Sequence, residues 1–256
     1  MAYIDYSKAF DTVCHSKLAA KLAATGITSN LLKWLKDFLN CRTQVTRVGM
    51  SLSDTVDITS GVVQGSCLGP LLFMLYINDV VTLFDDKIRC KLYADDVKLY
   101  SVVNTQADSL AMQEKLDQLE TWSNTWQLKI SVKKCLIINI GRQGIDQYQY
   151  KIGDKCLPVS HTVKDLGVTV DVSLKFTDHI NSITAKALRR VGLLFKCFNI
   201  TRDHNILVKA FNTYVRPVLE YASSIWSPTQ IGLINRLESV QRRFTKRLLG
   251  IWPSNL

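Results

Sequence analysis

Residues 88–100 read Ile88-Arg89-Cys90-Lys91-Leu92-Tyr93-Ala94-Asp95-Asp96-Val97-Lys98-Leu99-Tyr100. Apolar side chains recur at every second position, as Ile88, Cys90 and Leu92 on one arm and Val97 and Leu99 on the other. That period is the signature of a half-buried β-hairpin, and it puts the acids Asp95 and Asp96 at the tip. Upstream, Gly65-Ser66 is a small polar cap, followed by Pro70 in a first turn and a long apolar helix to about Phe84. Downstream, Leu110, Met112, Leu116, Leu119, Trp122 and Trp126 repeat at helical spacing across residues 105–126, and a strand is expected over 135–140. Helices and hairpins interleaved in this way predict an α+β fold.

The chain opens with Met1-Ala2-Tyr3-Ile4-Asp5, which reads as the tail of a strand closed by an acid, and then becomes helix-compatible through Leu22. From Ser29, a plausible N-cap, Leu31, Leu32, Leu35, Phe38 and Leu39 predict a helix, and residues 42–56, broken by Gly49, predict a hairpin. Short strands are expected around 148–152 and 162–170. Residues 177–250 hold three helical patterns and almost no strand signal, so a domain boundary is expected near Lys175, giving 1–174 and 175–256. No internal repeat or low-complexity segment is present.

With 256 residues, 47% of them hydrophobic, the chain can bury one substantial core and a smaller appended unit. The apolar stretch 68–83 is interrupted by Asn78 and Asp79, which argues against a bilayer span, so no membrane association is expected. No basic segment followed by an apolar one opens the chain, so a secretory signal is not expected. The seven cysteines (Cys14, Cys41, Cys67, Cys90, Cys135, Cys156, Cys197) are odd in number and contain no C-x-x-C pair. They predict neither a zinc site nor a disulfide framework, but a reducing intracellular compartment, nuclear or cytoplasmic. The four histidines show no metal-binding spacing. The net charge of +10 is concentrated late: residues 175–256 carry 13 Lys or Arg against 4 Asp or Glu, a net of +9. Such a segment suits a surface that follows a phosphate backbone, and equally a solvated helical face.

Asp5 at a strand end and Asp95-Asp96 at a hairpin tip are placed where carboxylates can hold Mg²⁺. If the two elements lie side by side the acids converge, and their mutual repulsion calls for a divalent cation. Acids in turns are also commonly just solvated, and Asp85-Asp86, a second such pair, receives no function.

Longer motifs break that tie. Asp5-Tyr6-Ser7-Lys8-Ala9-Phe10-Asp11 resembles the first palm motif of reverse transcriptases of non-LTR retrotransposons (LINE and jockey-like elements). Lys91-Leu92-Tyr93-Ala94-Asp95-Asp96 resembles their Y-A-D-D box. Between the two, Gly61-Val62-Val63-Gln64-Gly65-Ser66-Cys67-Leu68-Gly69-Pro70-Leu71-Leu72-Phe73, continuing to Tyr76-Ile77-Asn78-Asp79, is similar to the family's G-x-P-Q-G-S-x-L-G-P-x-L-F block. Residues 126–135 resemble the next palm motif, and Asp165-Leu166-Gly167-Val168 the element that grips the primer. Residues 214–222 and the helix around Gln241-Arg242-Arg243 resemble the region after the palm in jockey-type elements.

The resemblance implies a polymerase palm, an antiparallel sheet backed by helices, over 1–174, and an all-α thumb-like domain over 175–256. It implies an RNA-directed DNA polymerase that transfers a nucleotide from a dNTP to a primer 3′-hydroxyl, with an RNA template and a DNA primer as partners. Asp5, Asp95 and Asp96 would be the catalytic acids and ligands of two Mg²⁺ ions. Phe10 would lie beneath the incoming sugar, or else be an ordinary core aromatic. Gln64 and Gly65 would approach nucleotide and template. Lys134, or its neighbour Lys133, would act toward the leaving phosphate or simply be solvated. Leu166, Gly167 and Val168 would hold the primer end, although Gly167 also reads as a strand bulge. Arg189-Arg190, Arg242-Arg243 and Lys246-Arg247 could rest along the duplex.

Two positions depart from the family pattern: Val63 stands where proline is usual and Ser131 where asparagine is common. No finger region precedes the first motif, so the sequence is expected to be an N-terminally truncated polymerase. The alternative is a catalytically inactive remnant that still binds nucleic acid.

Overall fold

A computed structural model describes residues 1–141, 148–198 and 203–250; the last six positions of the expected 175–256 domain lie outside the described residues. The chain divides into two compact units, Met1–Ser160 and His161–Leu256.

In chain order the first unit contains β1 (Ala2–Ile4), α1 (His15–Ala24), α2 (Ser29–Leu39), β2 (Arg42–Gln44), β3 (Arg47–Val48), β4 (Ser51–Leu52), β5 (Val56–Ile58), α3 (Leu68–Ile77) and a 3₁₀ segment (Asn78–Leu83). It continues with β6 (Arg89–Tyr93), β7 (Asp96–Tyr100), α4 (Gln106–Trp126), β8 (Leu136–Ile137), β9 (Lys151–Ile152) and β10 (Lys155–Cys156). Four strands form an antiparallel sheet in the order β6-β7-β1-β8. One of its two inner strands is the short opening segment, with Ala2 opposite Leu99 and Ile137, and Ile4 opposite Val97.

Side chains alternate across a pleated sheet, and this register sorts them. Ala2, Ile4, Val97, Leu99 and Ile137 are buried and share one core with Leu18 and Leu22 of α1, Leu72, Phe73 and Tyr76 of α3, and Met112, Leu116 and Leu119 of α4. Each such aliphatic side chain contributes about 1.5–3 kcal/mol on burial. Tyr3, Lys98 and Lys91 fall on the opposite, more open face.

The expected hairpins and helices are present, with shifts that have physical causes. Helix α4 starts in a capping box, with the Thr105 hydroxyl and Asp108 carboxylate each taking the other's backbone N–H. One side chain, Gln113, substitutes for a strand by pairing with both the N–H and the C=O of Lys151 at 2.9 Å. The strand expected over 135–140 narrows to Leu136–Ile137, because β1 offers only Ala2 and Tyr3 as partners. The helix expected to reach Phe84 ends as α-helix at Ile77 and tightens into the 3₁₀ segment.

At that transition lies a buried ammonium. Lys21 of α1 donates to the Tyr76 carbonyl and pairs with Asp79 at 2.5 Å. It also sits 3.6 Å from the centre of the Trp126 ring and 5.0 Å from those of Tyr76 and Trp122. Burial lowers its pKa, and Asp79 opposes that shift.

The second unit contains β11 (Thr162–Asp165), β12 (Val168–Asp171), α5 (Thr177–Cys197), α6 (His204–Tyr214), α7 (Arg216–Glu220), α8 (Ser223–Trp226) and α9 (Ile231–Leu248). Beyond Asp171 the described residues form helices and no strands. The segment 162–170, expected as one strand, is a two-stranded hairpin that belongs with those helices rather than with the preceding sheet. Val168 and Val170 pack with Ile180, Trp226 and Leu233. The boundary at 174/175 follows the end of the strand signal, whereas the contacts divide the chain before this hairpin. A second cluster gathers Ala187, Val191, Leu207, Phe211, Val240 and Phe244, with the Phe211 and Phe244 rings stacked at 4.3 Å. None of the described helices is long and apolar enough to cross a membrane.

Lys21→Ala removes the ammonium and leaves the Tyr76 carbonyl and Asp79 without it. A loss of about 2–4 kcal/mol is expected, read as a lower urea midpoint at unchanged slope.

Candidate active site

Asp5 follows β1 directly. Continuing the ladder from the pair Ile4 and Val97 brings it alongside Asp96, the first residue of β7. Tyr93 pairs with Asp96, so Ala94 and Asp95 form the two-residue tip, with Ala94 at φ 53°. The acids at positions 5, 95 and 96 therefore belong to one end of one sheet. Among the described residues, however, no three His, Cys, Asp or Glu side chains close into a group able to hold a metal ion. Neighbouring carboxylates repel, and the ammonium of Lys134 lies 3.3 Å from Asp5 Oδ1. That approach lacks hydrogen-bond geometry, since Oδ1 is buried and accepts no hydrogen bond.

The backbone of Asp5 is held by the segment that carries this lysine. Ser131 donates its N–H to the Asp5 carbonyl at 2.8 Å, and the Asp5 N–H points to the Cys135 sulfur at 3.4 Å. Lys134 closes a turn by donating to the Ser131 carbonyl at 2.8 Å, and this turn selects Lys134 over Lys133 as the neighbour of Asp5. Burial pushes the Cys135 thiol up to about 11, so it stays neutral and adds no charge beneath the carboxylate. The other acid pair shapes its own turn. Asp85 accepts the N–H groups of Lys87 and Ile88, and these bonds hold its pKa below the usual carboxylate value.

The segment 60–69 docks against the turn that follows β1. Gly61 donates to the Val13 carbonyl at 2.8 Å and Val62 to the Phe10 carbonyl at 2.9 Å. Gly61 has φ +87°, and a Cβ there would lie 2.8 Å from the Asp11 carbonyl oxygen. His15 and Arg42 both reach the Gly61 carbonyl, at 2.8 and 3.2 Å. Ser66 caps α3: its hydroxyl accepts from Gly69 N–H and donates to the Val63 carbonyl. A Cβ at Gly69 would meet that same carbonyl at 2.4 Å. The loop is thus fixed at Val63 although proline is absent there. Gln64 and Cys67 are exposed, Gln64 donating to Asp11 at 2.6 Å, and Gly65 takes φ +84°. Phe10 is half-buried and stacked on Phe73 with ring centres 4.2 Å apart.

In the second unit, Leu166 and Gly167 form the two-residue tip of the β11–β12 hairpin, with φ of 43° and 89°. Two consecutive positive values suit a tight primed turn, so Gly167 is a turn residue and not a bulge. The Tyr221 hydroxyl donates to the Leu166 carbonyl at 2.9 Å, and its ring lies over Gly167, 3.3 Å from where a Cβ would be. Of the basic residues, Arg190 donates to the Tyr214 carbonyl and Arg247 lies 4.5 Å from the Phe195 ring centre. Arg189, Arg242 and Lys246 are exposed.

The sequence alone implies no role for Asp11, Tyr221 or Cys135, although all three stand inside the motifs. A polar or aromatic residue at a fixed place in a motif was the available signal. Gly61→Ala, with a positive φ and a backbone clash, is expected to cost about 2 kcal/mol or more, measured by thermal unfolding. Tyr221→Phe should lower stability by at most about 1 kcal/mol. Its effect should be local, seen as faster amide exchange in β11 and β12 and unchanged exchange in α4.

Residues 1–170 match the family described as reverse transcriptase (RNA-dependent DNA polymerase). The RNA-directed DNA polymerase from mobile element jockey of Drosophila funebris is 27% identical over 97% of this chain. The probable RNA-directed DNA polymerase from transposon BS of Drosophila melanogaster is 27% identical over 94% of it. The chain spans 28% of the length of each of these relatives. Among solved structures, telomerase from Candida albicans, determined with the TWJ fragment of telomeric RNA, aligns over 100% of this chain and 49% of its own. It does so at a TM-score of 0.50 and 9% identity, a likeness of fold. With Asp5 and the Asp95-Asp96 tip at one end of one sheet and residues 1–170 matching the family, the chain belongs to the reverse transcriptase (RNA-dependent DNA polymerase) family.

Proposed function

We propose that this chain is the palm and thumb-like part of an RNA-directed DNA polymerase of a non-LTR retrotransposon. It would extend a DNA primer on an RNA template with dNTPs. The observation that carries the reading is the register of β1 against β7, which aligns Asp5 with the Asp95-Asp96 tip while leaving Asp5 Oδ1 buried without a hydrogen bond. A buried carboxylate oxygen of that kind favours a hard cation over solvent.

Asp5, Asp95 and Asp96 offer only oxygen donors, which fits Mg²⁺, and they are the residues that would hold it. When bound, two such ions would favour the ionised primer 3′-hydroxyl and neutralise the departing pyrophosphate. Lys134, beside Asp5, would offset negative charge and can return a proton to the leaving group. Phe10, held by the Phe73 ring, would form a rigid plate under the sugar and disfavour a 2′-hydroxyl by sterics. Gln64 and Gly65 would meet the nucleotide and template, and Leu166, Gly167 and Val168 the primer end. The exposed arginines and lysines of α5 and α9 would bind the duplex through phosphates, without sequence preference.

The second reading is a binding remnant that no longer copies, favoured by the absence of a three-ligand group among the described residues and by the Lys134 approach to Asp5. Primer extension on an RNA template separates the two. Extension should require Mg²⁺ and fall at least about a hundredfold in Asp95→Asn. Salt-sensitive binding of template–primer with no extension under any condition would establish the remnant instead.

A further inference from the structure

Gln64 donates from Nε2 to Oδ1 of Asp11 at 2.6 Å. A carboxylate can only accept, so the amide nitrogen faces Asp11 by chemical necessity and the amide oxygen faces away from it. The backbone of Asp11 is itself fixed, while its side chain is exposed. The Ser60 hydroxyl donates to its carbonyl at 2.8 Å, Gly61 packs so tightly against its backbone that no Cβ fits, and Val62 secures the carbonyl of Phe10 before it. The segment carrying Gln64 and the turn carrying Phe10 are therefore joined at Asp11.

We propose that Asp11 is a positioning residue for nucleotide binding, which takes one N–H of the Gln64 amide and thereby turns the amide oxygen, its acceptor end, toward the nucleotide. This rests on the reading that Gln64 contacts the incoming nucleotide. Without Asp11 a glutamine amide can turn over and offer an N–H where an acceptor is needed. The ligand group that Gln64 selects is accordingly a hydrogen-bond donor, and the preference comes from a residue that does not touch the nucleotide.

The test is equilibrium binding of radiolabelled dTTP, with Mg²⁺, to the full chain on an oligo(rA)–oligo(dT) duplex whose primer ends in a dideoxynucleotide. Asp11→Ala and Gln64→Ala should each weaken dTTP binding about tenfold, and the double variant should bind no worse than Gln64→Ala alone. Gln64→Glu opposes two carboxylates and should bind more weakly still. Asp11→Asn added to Gln64→Glu should restore at least about tenfold, because the new amide donates to Glu at position 64 and leaves its second oxygen as the acceptor. A purely structural role for Asp11 would give no such rescue. Additive losses in the double alanine variant, or absence of rescue, would overturn the proposal. If Gln64→Ala weakens binding and Asp11→Ala does not, this inference alone fails. If Gln64→Ala binds like the wild type, or the wild type binds no dTTP, the nucleotide role of Gln64 fails and this inference with it. Should Asp11→Ala not fold, the Gln64→Glu pair decides, since it keeps the side-chain sizes.

Discussion

Ala2 and Tyr3 are paired on both sides, with β7 on one edge and β8 on the other, and the chemistry of the first unit is placed by that short ladder. A register slip of one residue would exchange the two faces. Asp5 would then turn toward the core, and Ile4 would stand where the carboxylate belongs. The buried row Ala2, Ile4, Val97 and Leu99 makes such a slip costly, so the hydrophobic core is what holds Asp5 beside the hairpin tip. Packing energy thus becomes positional accuracy for the carboxylate.

A second constraint is close approach of backbone. Gly61 and Gly69 lie where a methyl group would overlap a carbonyl, against Asp11 in one case and Val63 in the other. These two contacts bring the segment 60–69 onto the turn after β1 from one side and start α3 from the other. Between them the loop has little freedom, which compensates for Val63 in place of the expected proline. The Phe10 and Phe73 rings, one on each partner, stack across the same junction.

Much of the fold could be read locally. The alternation over 88–100 and the helical spacing over 105–126 reappear in the structure, and so does the helix at Ser29, although Thr28 and not Ser29 is its N-cap. What escaped depended on distant residues. Residues 162–170 looked like one strand because Leu166 is not a residue that announces a turn; its φ of 43° is held in part by Tyr221, 55 positions later. The link between Gln64 and Asp11 spans 53 positions, and no periodicity reports it. That Lys134 stands beside Asp5 likewise goes with a turn closed by its hydrogen bond to Ser131, which no periodicity reports. The acids were visible as motif residues, but their common sheet end came only from the β1–β7 register.

The open face of that sheet has an electrostatic character that neither the motif nor the net charge conveys. Lys98 pairs with Tyr3 and with Lys91 across the strands, so two ammonium groups lie one row along the sheet from the acids, on the same face. Lys98 is 5.8 Å from the centre of the Tyr3 ring. Lys134 adds a third cation beside Asp5. A cluster of carboxylates alone would repel a polyanion, with an energy that falls off over a Debye length of about 8 Å at physiological salt. Interleaved lysines cancel that field at range and leave the carboxylates effective only at contact. Under the proposed reading, a phosphate backbone could therefore approach the sheet without a long-range penalty. The acids would act only on what is brought within bonding distance, which is the condition a polymerase palm has to meet.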